Sequence, residues 1–224
     1  MAKSLPCVQH YIIGISIYMT ALETALIHRF GEENLSSFIQ KEGKIPLILL
    51  DLETKSRTKV LVTNGLSDYL MPVPEKLAGN EYNEIYFCLP SYWDLSDSEN
   101  ANMNWIFEWI QRIANYVIEK KTWLGNGHTM PCGSEMKSLS PSMRQNHFFL
   151  SDPVLLENEL FPIEIGAKRI HFLAIIPIFG EEMDYKQGKG TFKFQQKLRT
   201  HGVTEKLDDF RGSTLKSKWR FLKR

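Results

Sequence analysis

Apolar and polar positions follow helical spacing most clearly between Trp105 and Glu119. Five apolar side chains recur at intervals of three and four residues, as on the buried face of an amphipathic helix. They are Ile106, Trp109, Ile110, Ile113 and Val117. The pattern predicts a helix with one buried and one solvated face. Similar but weaker patterns predict helices over Ile15–Phe30, Gly180–Tyr185 and Thr191–Thr200.

Short apolar runs between these helices predict strands. The runs are Ile45–Leu52, Lys59–Thr63, Asn83–Leu89, His147–Leu150 and Arg169–Ile178. The first two runs flank a short polar connector, which is typical of a hairpin. In the third run, Ile85, Phe87 and Leu89 share one face, while Tyr86 and Cys88 share the other. Strands and helices are mixed without the regular alternation of a doubly wound fold, which favours an α+β class.

Length and composition place the chain among ordinary folded proteins. It has 224 residues, of which 43% are hydrophobic and 24% charged, so it suits one large domain with a sizeable core. No stretch reaches the 18 to 20 or so apolar residues that a membrane span needs. The three cysteines, Cys7, Cys88 and Cys132, lack metal or redox spacing. We therefore expect a cytoplasmic protein without a membrane segment.

Positive charge is concentrated at the C-terminus. The net charge is +1, yet Arg211–Arg224 contains six Lys or Arg residues and no acid. This predicts a basic tail, which we place at residues 204–224, after a domain at residues 1–203. Such a tail, which also carries Trp219 and Phe221, suits nucleic acid or an anionic surface. The alternative is a solvated terminus without a partner.

None of the familiar catalytic patterns is present in the sequence. The six histidines are scattered, and there is no Gly-x-Ser-x-Gly elbow or phosphate-binding loop. Cys132 with His128 or His147 is one possible nucleophile pair, and the alternative is a surface thiol near unrelated histidines. The acid pairs Glu181–Glu182 and Asp208–Asp209 are adjacent residues that suit solvated charge. We therefore assign no catalytic residue, no metal ligand and no cofactor.

Two polar residues follow the tight turn at the end of the Lys59–Thr63 strand. The segment reads Asn64-Gly65-Leu66-Ser67-Asp68, and functional groups are common on loops in this position. The alternative is that Ser67 and Asp68 close the turn by bonding its backbone.

Several segments together resemble the suppressor of fused domain family, over about residues 20–200. The segments that carry the resemblance are Val62–Met71, Glu84–Pro90, Trp105 with its helix, Lys121–Thr129, and Ile175–Ile178 followed by Glu181–Glu182. The Thr-Asn-Gly-x-Ser-Asp sequence and the Gly-His-Thr step are the most specific parts. The basic tail after Thr200 lies outside the resemblance.

The resemblance implies a fold and a function. The family fold is α+β, with helices packed on a mixed, largely antiparallel β-sheet, and its members have no known enzymatic activity or required cofactor. Animal members restrain Gli-type transcription factors, which bind between two domains, whereas we expect a single domain here. Short bacterial members are proposed immunity proteins of polymorphic toxin systems. The expected function is therefore direct binding of a protein partner, a cognate toxin, and the alternative is a regulatory or nucleic-acid-binding role of the tail.

The partner surface is expected where two loop segments leave the strands, Asn64–Met71 and Trp123–Met130. The predicted partner-binding side chains are Asn64, Ser67, Asp68, Tyr69, Met71, Trp123 and His128. For Trp123 the alternative is a place in the core. The sequence specifies no oligomeric state.

Overall fold

The computed structural model describes residues 19–38, 45–53, 57–95 and 100–215. Its helices are α1 (Ala21–Phe30), α2 (Trp105–Glu119), α3 (Gly180–Lys189) and α4 (Thr191–Thr200). Its strands are β1 (Leu35–Phe38), β2 (Leu47–Glu53), β3 (Arg57–Thr63), β4 (Tyr82–Pro90), β5 (Thr129–Pro131), β6 (His147–Ser151), β7 (Ile163–Ile165) and β8 (Lys168–Ile178). Across these four ranges, no helix is long and apolar enough to cross a membrane.

The eight strands form one sheet in the order β1-β2-β3-β4-β8-β6-β5, and β7 pairs with β8 beside this path. All neighbouring strands are antiparallel except β4 and β8, which are parallel. The predicted class, an α+β fold with a mixed and largely antiparallel sheet, is confirmed.

Each face of the sheet has its own hydrophobic core. On one face, Ile85, Phe87 and Leu89 of β4 pack with the apolar stripe of α2. On the other face, Tyr86 and Cys88 lie with the buried side chains of α1 and α4. The alternation predicted for β4 thus places its residues on the correct faces, and both faces of the central strands are covered.

Three strands were not predicted: β1, β5 and β7. Each has only three or four residues, which is too short for a recognisable alternation of apolar and polar positions. They are strands because longer neighbours supply the hydrogen bonds. β5 lies inside a segment, residues 125–145, that the sequence predicts as a long irregular excursion.

The predicted start of α1 at Ile15 lies outside the described residues. The helix begins at Ala21, because the hydroxyl of Thr20 accepts a hydrogen bond of 3.0 Å from the Glu23 N–H and caps it. At the other end of the chain, α3 extends to Lys189, four residues beyond the prediction. The bounds of α2 and α4 are those predicted.

Candidate protein-binding surfaces

The turn after β3 is held from below by a buried carboxylate, Glu84. This side chain has no exposed surface, and it accepts hydrogen bonds from three consecutive backbone N–H groups, those of Gly65, Leu66 and Ser67, at 3.0, 3.2 and 3.0 Å. The Thr63 hydroxyl also donates to it. Gly65 has a φ of 131°, which favours glycine. The carboxylate therefore satisfies backbone donors that the turn leaves without partners.

Burial dominates the electrostatics of Glu84. It raises the pKa of this carboxyl above its ordinary value, although the hydrogen bonds from Ser67, Thr63 and Gly65 act in the opposite direction. The described residues supply hydrogen-bond donors to Glu84 but no ion pair. The sequence does not reveal this role, because its only sign is one acid at the start of an apolar strand.

The structure places three of the predicted partner-binding residues inside the domain. Asn64, Ser67 and Met71 are at most 5% exposed. The Asn64 side chain accepts a hydrogen bond of 2.7 Å from the Thr20 hydroxyl at the start of α1, and Met71 belongs to the core beneath α2. The expectation that these side chains face a partner is corrected, because the turn directs them inwards.

Asp68 and Tyr69 remain accessible at the outer side of the same turn. Asp68 is exposed and Tyr69 half-buried. The ammonium of Lys168, at the start of β8, donates to Asp68 at 2.8 Å and to the Ser67 carbonyl at 3.3 Å. Contact of these two side chains with a partner stays a prediction.

Trp123 and His128 form a pair in the loop that leads into β5. Both are half-buried, and their ring centroids lie 4.2 Å apart. A Cβ at Gly125 would lie 2.7 Å from the Trp123 ring, so glycine allows this ring to fold back on the loop. Burial, and then the charge of Lys186, lowers the pKa of His128. The half-buried Trp123 ring packs against the core beneath α2. Its position is therefore intermediate between the exposed site and the core site that were the two alternatives.

The two predicted segments are attached at different strands of the sheet. Asp68 lies at Lys168, whereas the His128 carbonyl accepts from Leu150 of β6, which pairs with Ile175 of β8. Seven residues separate Lys168 from Ile175 along β8, a distance of about 23 Å at the rise of a strand. A surface shared by the two segments stays a prediction.

A second buried glutamate, Glu182 of α3, holds the segment that follows α4. Glu182 has no exposed surface and forms two hydrogen bonds of 2.9 Å with the Arg211 guanidinium. It also accepts from the backbone N–H of Phe179 and of Thr214, at 3.0 and 2.8 Å. Burial raises the pKa of Glu182, but the bonds and charge of Arg211 outweigh it and hold the pKa below its usual value. Glu182 is not the solvated charge that the sequence suggests.

The described part of the predicted tail, residues 204–215, is packed on the domain. Glu205 is buried, and one of its oxygens accepts from the N–H groups of Val154, Leu155 and Leu156 at 2.7 to 3.0 Å. The Leu207 N–H donates to the carbonyl of Cys88 in β4. The boundary predicted after residue 203 thus divides residues that pack together. Residues 216–224 lie outside the described part of the chain.

Tyr92, the end of α4 and residues near 210 line a groove that the sequence did not predict. The groove has a volume of about 1150 Å³ and separates residues 208–215 from the end of α4. Phe210 and Tyr92 stand at its edge with 82% and 53% of their surface exposed. Phe210 belongs to the predicted tail, but no pattern in the sequence brings it next to Tyr92.

Of the two histidines predicted as partners of Cys132, His147 lies on the neighbouring strand opposite Pro131, whereas His128 is distant. Cys132 and His128 flank β5, and four residues of extended chain span about 13 Å. Cys132 is buried, not at the surface as expected, and burial raises its pKa, the opposite of an activated thiol. Among the described residues, no three His, Cys, Asp or Glu side chains are grouped as a metal site.

The architecture defines an α+β domain whose loops are held by buried glutamates. The model of the suppressor of fused protein family matches residues 42–211. This is more than half of the chain, and the chain belongs to the suppressor of fused family. The family prediction is confirmed, and the match also includes residues 201–211, which we placed outside the resemblance.

Solved structures share this fold at low sequence identity. A chain in the crystal structure of the Sufu–Fu complex is 15% identical, with a TM-score of 0.62 over 88% of this chain and 91% of that one. A suppressor of fused homolog from Neisseria gonorrhoeae is 16% identical, with a TM-score of 0.59 over 86% and 94% of the two chains.

Drosophila Suppressor of Fused is also 16% identical, with a TM-score of 0.52. The match covers 80% of this chain but 42% of the Drosophila chain. In sequence, no curated protein matches the chain.

Proposed function

We propose that this chain is a protein-binding domain without catalytic activity. The observation that carries the proposal is membership of the suppressor of fused family, together with a structural neighbour that was solved in a complex with another protein, Fu. The exposed aromatic groove supports it, because aromatic side chains are enriched where proteins bind one another. Burial of the Cys132 thiol, which raises its pKa, supports a role that does not use this thiol as a nucleophile.

The partner we propose is a cognate toxin, which the chain neutralises by direct binding in the cytoplasm. This is the role that the resemblance implies for short bacterial members of the family. The fold similarity to the Neisseria gonorrhoeae homolog over 94% of that chain supports comparison with a bacterial protein. Neutralisation by binding requires only a stable complex that covers the working surface of the toxin.

Co-expression tests this proposal. The tagged full chain is produced with each protein encoded beside its own gene, and the complexes are purified and identified. We expect one neighbour to stop growth when produced alone, to co-purify with the chain, and to be harmless when both are present. Loss of growth arrest without a complex, or no toxic and bound neighbour, would contradict the proposal.

The alternative is a regulatory or nucleic-acid-binding module that acts through the basic tail. One of the six cations of this tail, Arg211, is not available to a ligand. Arg211 is 8% exposed in its side chain and is neutralised by Glu182. The remaining cations start at Lys216. Salt-dependent binding of DNA or RNA that disappears in a Lys216→Glu, Lys218→Glu variant would favour this alternative.

A further inference from the structure

The groove beside α4 has one aromatic wall. The rings of Tyr92 and Phe210 lie 6.5 Å apart, and the Tyr92 hydroxyl donates a hydrogen bond of 2.6 Å to Asp209. The Phe210 N–H in turn donates to the side chain of Asp208, at 2.9 Å. These bonds hold the Tyr92 ring and the backbone of Phe210 in place before any partner arrives, which lowers the entropy cost of binding there.

The opposite wall of the groove is formed by the end of α4 and is basic. Lys197, Thr200 and His201 line this wall. Residues 185–204, which include α4, contain five Lys or Arg residues and no acid. On the aromatic side, Lys206 also lines the groove, and Arg211 is already paired with Glu182. The two acids on this side are engaged, because Asp208 caps the Phe210 N–H and Asp209 accepts from the Tyr92 hydroxyl. The positive charge of the groove therefore comes from Lys197 of α4 and from Lys206, and it attracts an acidic occupant.

The dimensions of the groove favour a peptide segment as its occupant. Its volume of about 1150 Å³ exceeds the roughly 300–1,000 Å³ of most small-molecule pockets. Its floor is apolar, with Met143, Ile176 and Leu207 among the lining side chains. An extended segment can place an apolar side chain on this floor while its acids face α4.

The C-terminal residues of this chain do not match that chemistry. Residues 216–224 contain five Lys or Arg residues and no acid, the same sign of charge as the α4 wall. Like charges at an interface oppose association. Charge therefore argues against residues 216–224 as the occupant of the groove.

We propose that the groove between α4 and the Tyr92–Phe210 pair binds an acidic segment of the partner protein, with a large apolar side chain packed against the two rings. This proposal rests on the proposed protein-binding function and adds the surface and the chemistry of its ligand. Acidic residues of the segment face Lys197 and His201, and its apolar anchor enters between Phe210 and the floor.

A peptide selection tests the groove. Phage that display random twelve-residue peptides are selected on the immobilised full chain, and the most enriched peptide is synthesised with fluorescein. We expect enrichment of Asp or Glu together with Phe, Leu, Ile or Trp. Phe210→Ala should weaken binding of the labelled peptide at least tenfold, and Lys197→Glu should weaken it at least threefold.

Two matched variants control for general effects. Phe192→Ala removes a phenylalanine that is 77% exposed outside the groove, and Lys76→Glu reverses an exposed lysine far from α4 in the chain. Both should bind the peptide within twofold of the unchanged chain. Circular dichroism checks folding, and if Phe210→Ala does not fold, Lys197→Glu on the other wall still decides the outcome.

Several results would overturn the proposal. They are enriched peptides without acids, binding that neither groove variant weakens, binding of a 20-nucleotide single-stranded DNA but of no peptide, and a dimer of the chain that Phe210→Ala dissociates. If a toxin binds the unchanged chain and both groove variants equally, the groove is not the binding surface, but the proposed function is still supported. Absence of any toxin partner would instead contradict the proposed function itself.

Discussion

Two regions of the domain use the same device, a fully buried glutamate that holds a loop, with different electrostatics. Glu84 holds the turn after β3 through neutral donors, mainly backbone N–H groups. Glu182 holds the segment after α4 and adds a bidentate ion pair with Arg211. As a result, the pKa of Glu84 is raised by burial, whereas that of Glu182 is held low by Arg211 despite burial.

The two regions also differ in what they leave for a partner. The turn above Glu84 directs Asn64, Ser67 and Met71 into the domain. The segment held by Glu182 leaves Phe210 outside, beside Tyr92. A buried anchor can therefore serve either to complete a core or to present an exposed side chain, and the second region is the better candidate for binding.

Loss of the Glu84 carboxylate should have the largest effect on stability. Glu84→Ala leaves three buried N–H groups without an acceptor, at about 1–3 kcal/mol each. We expect a loss of about 4 kcal/mol in the free energy of unfolding, measured in urea. Glu53→Ala, at an exposed position of β2, should change it by no more than about 0.5 kcal/mol. A loss under about 1 kcal/mol for Glu84→Ala would show that the turn does not depend on this anchor.

Removal of the arginine from the second anchor should have a slightly smaller effect. Arg211→Met leaves the Glu182 charge buried and unpaired, and we expect a loss of about 3 kcal/mol in the free energy of unfolding. Arg199→Met, at an exposed site on α4, is the matched control. The Glu182→Gln, Arg211→Met double variant should be less destabilised than the sum of the single variants. Strict additivity would contradict the ion pair as the anchor.

The pH dependence of stability should have opposite signs at the two anchors. The folded pKa of Glu84 lies above 4.5, so its contribution is present below pH 4.5 and is lost as pH rises through the folded value. The folded pKa of Glu182 lies below 4.5, so its contribution is present above pH 4.5 and is lost as pH falls through that value.

Urea unfolding of the unchanged chain and of Glu84→Gln and Glu182→Gln, between pH 3 and 8 or so, measures these signs. The difference in stability between the unchanged chain and Glu84→Gln should decrease as pH rises. The corresponding difference for Glu182→Gln should increase. Slopes of the same sign would remove the electrostatic distinction between the two regions.

The exposed ion pair at the first turn should matter least. Lys168→Met removes the pair with Asp68, whose side chain is 80% exposed, and such pairs contribute about 0.2–1 kcal/mol. Arg57→Met breaks a similarly exposed pair with Asp51 and should have the same small effect on unfolding in urea. A loss above about 2 kcal/mol in the free energy of unfolding for Lys168→Met would mean that the surface pair stabilises the turn together with Glu84.

Local patterns in the sequence predicted much of the fold. The stripe of α2 and the alternation of β4 are properties of neighbouring residues, and both were found where they were predicted. The short strands β1, β5 and β7 depend on partners elsewhere in the chain, so their own residues carry too little pattern to identify them.

The candidate surfaces were harder to predict because they depend on contacts between distant residues. Glu84 lies about twenty residues after the turn that it holds, and Arg211 lies 29 residues after Glu182. An acid within an apolar run does not reveal its partner. The same limit explains why Asn64 and Ser67, polar residues on a loop, were expected outside and lie inside.

The most direct test of a non-catalytic, binding function is the amount of chain needed to neutralise its toxin. The toxin identified by co-expression is mixed with increasing amounts of the purified chain, and its activity, its mass and the heat of binding are measured together. We expect activity to fall in proportion to the complex formed, with the mass of the toxin unchanged. Neutralisation by a small fraction of the chain, or a change in toxin mass, would contradict the account and indicate catalysis.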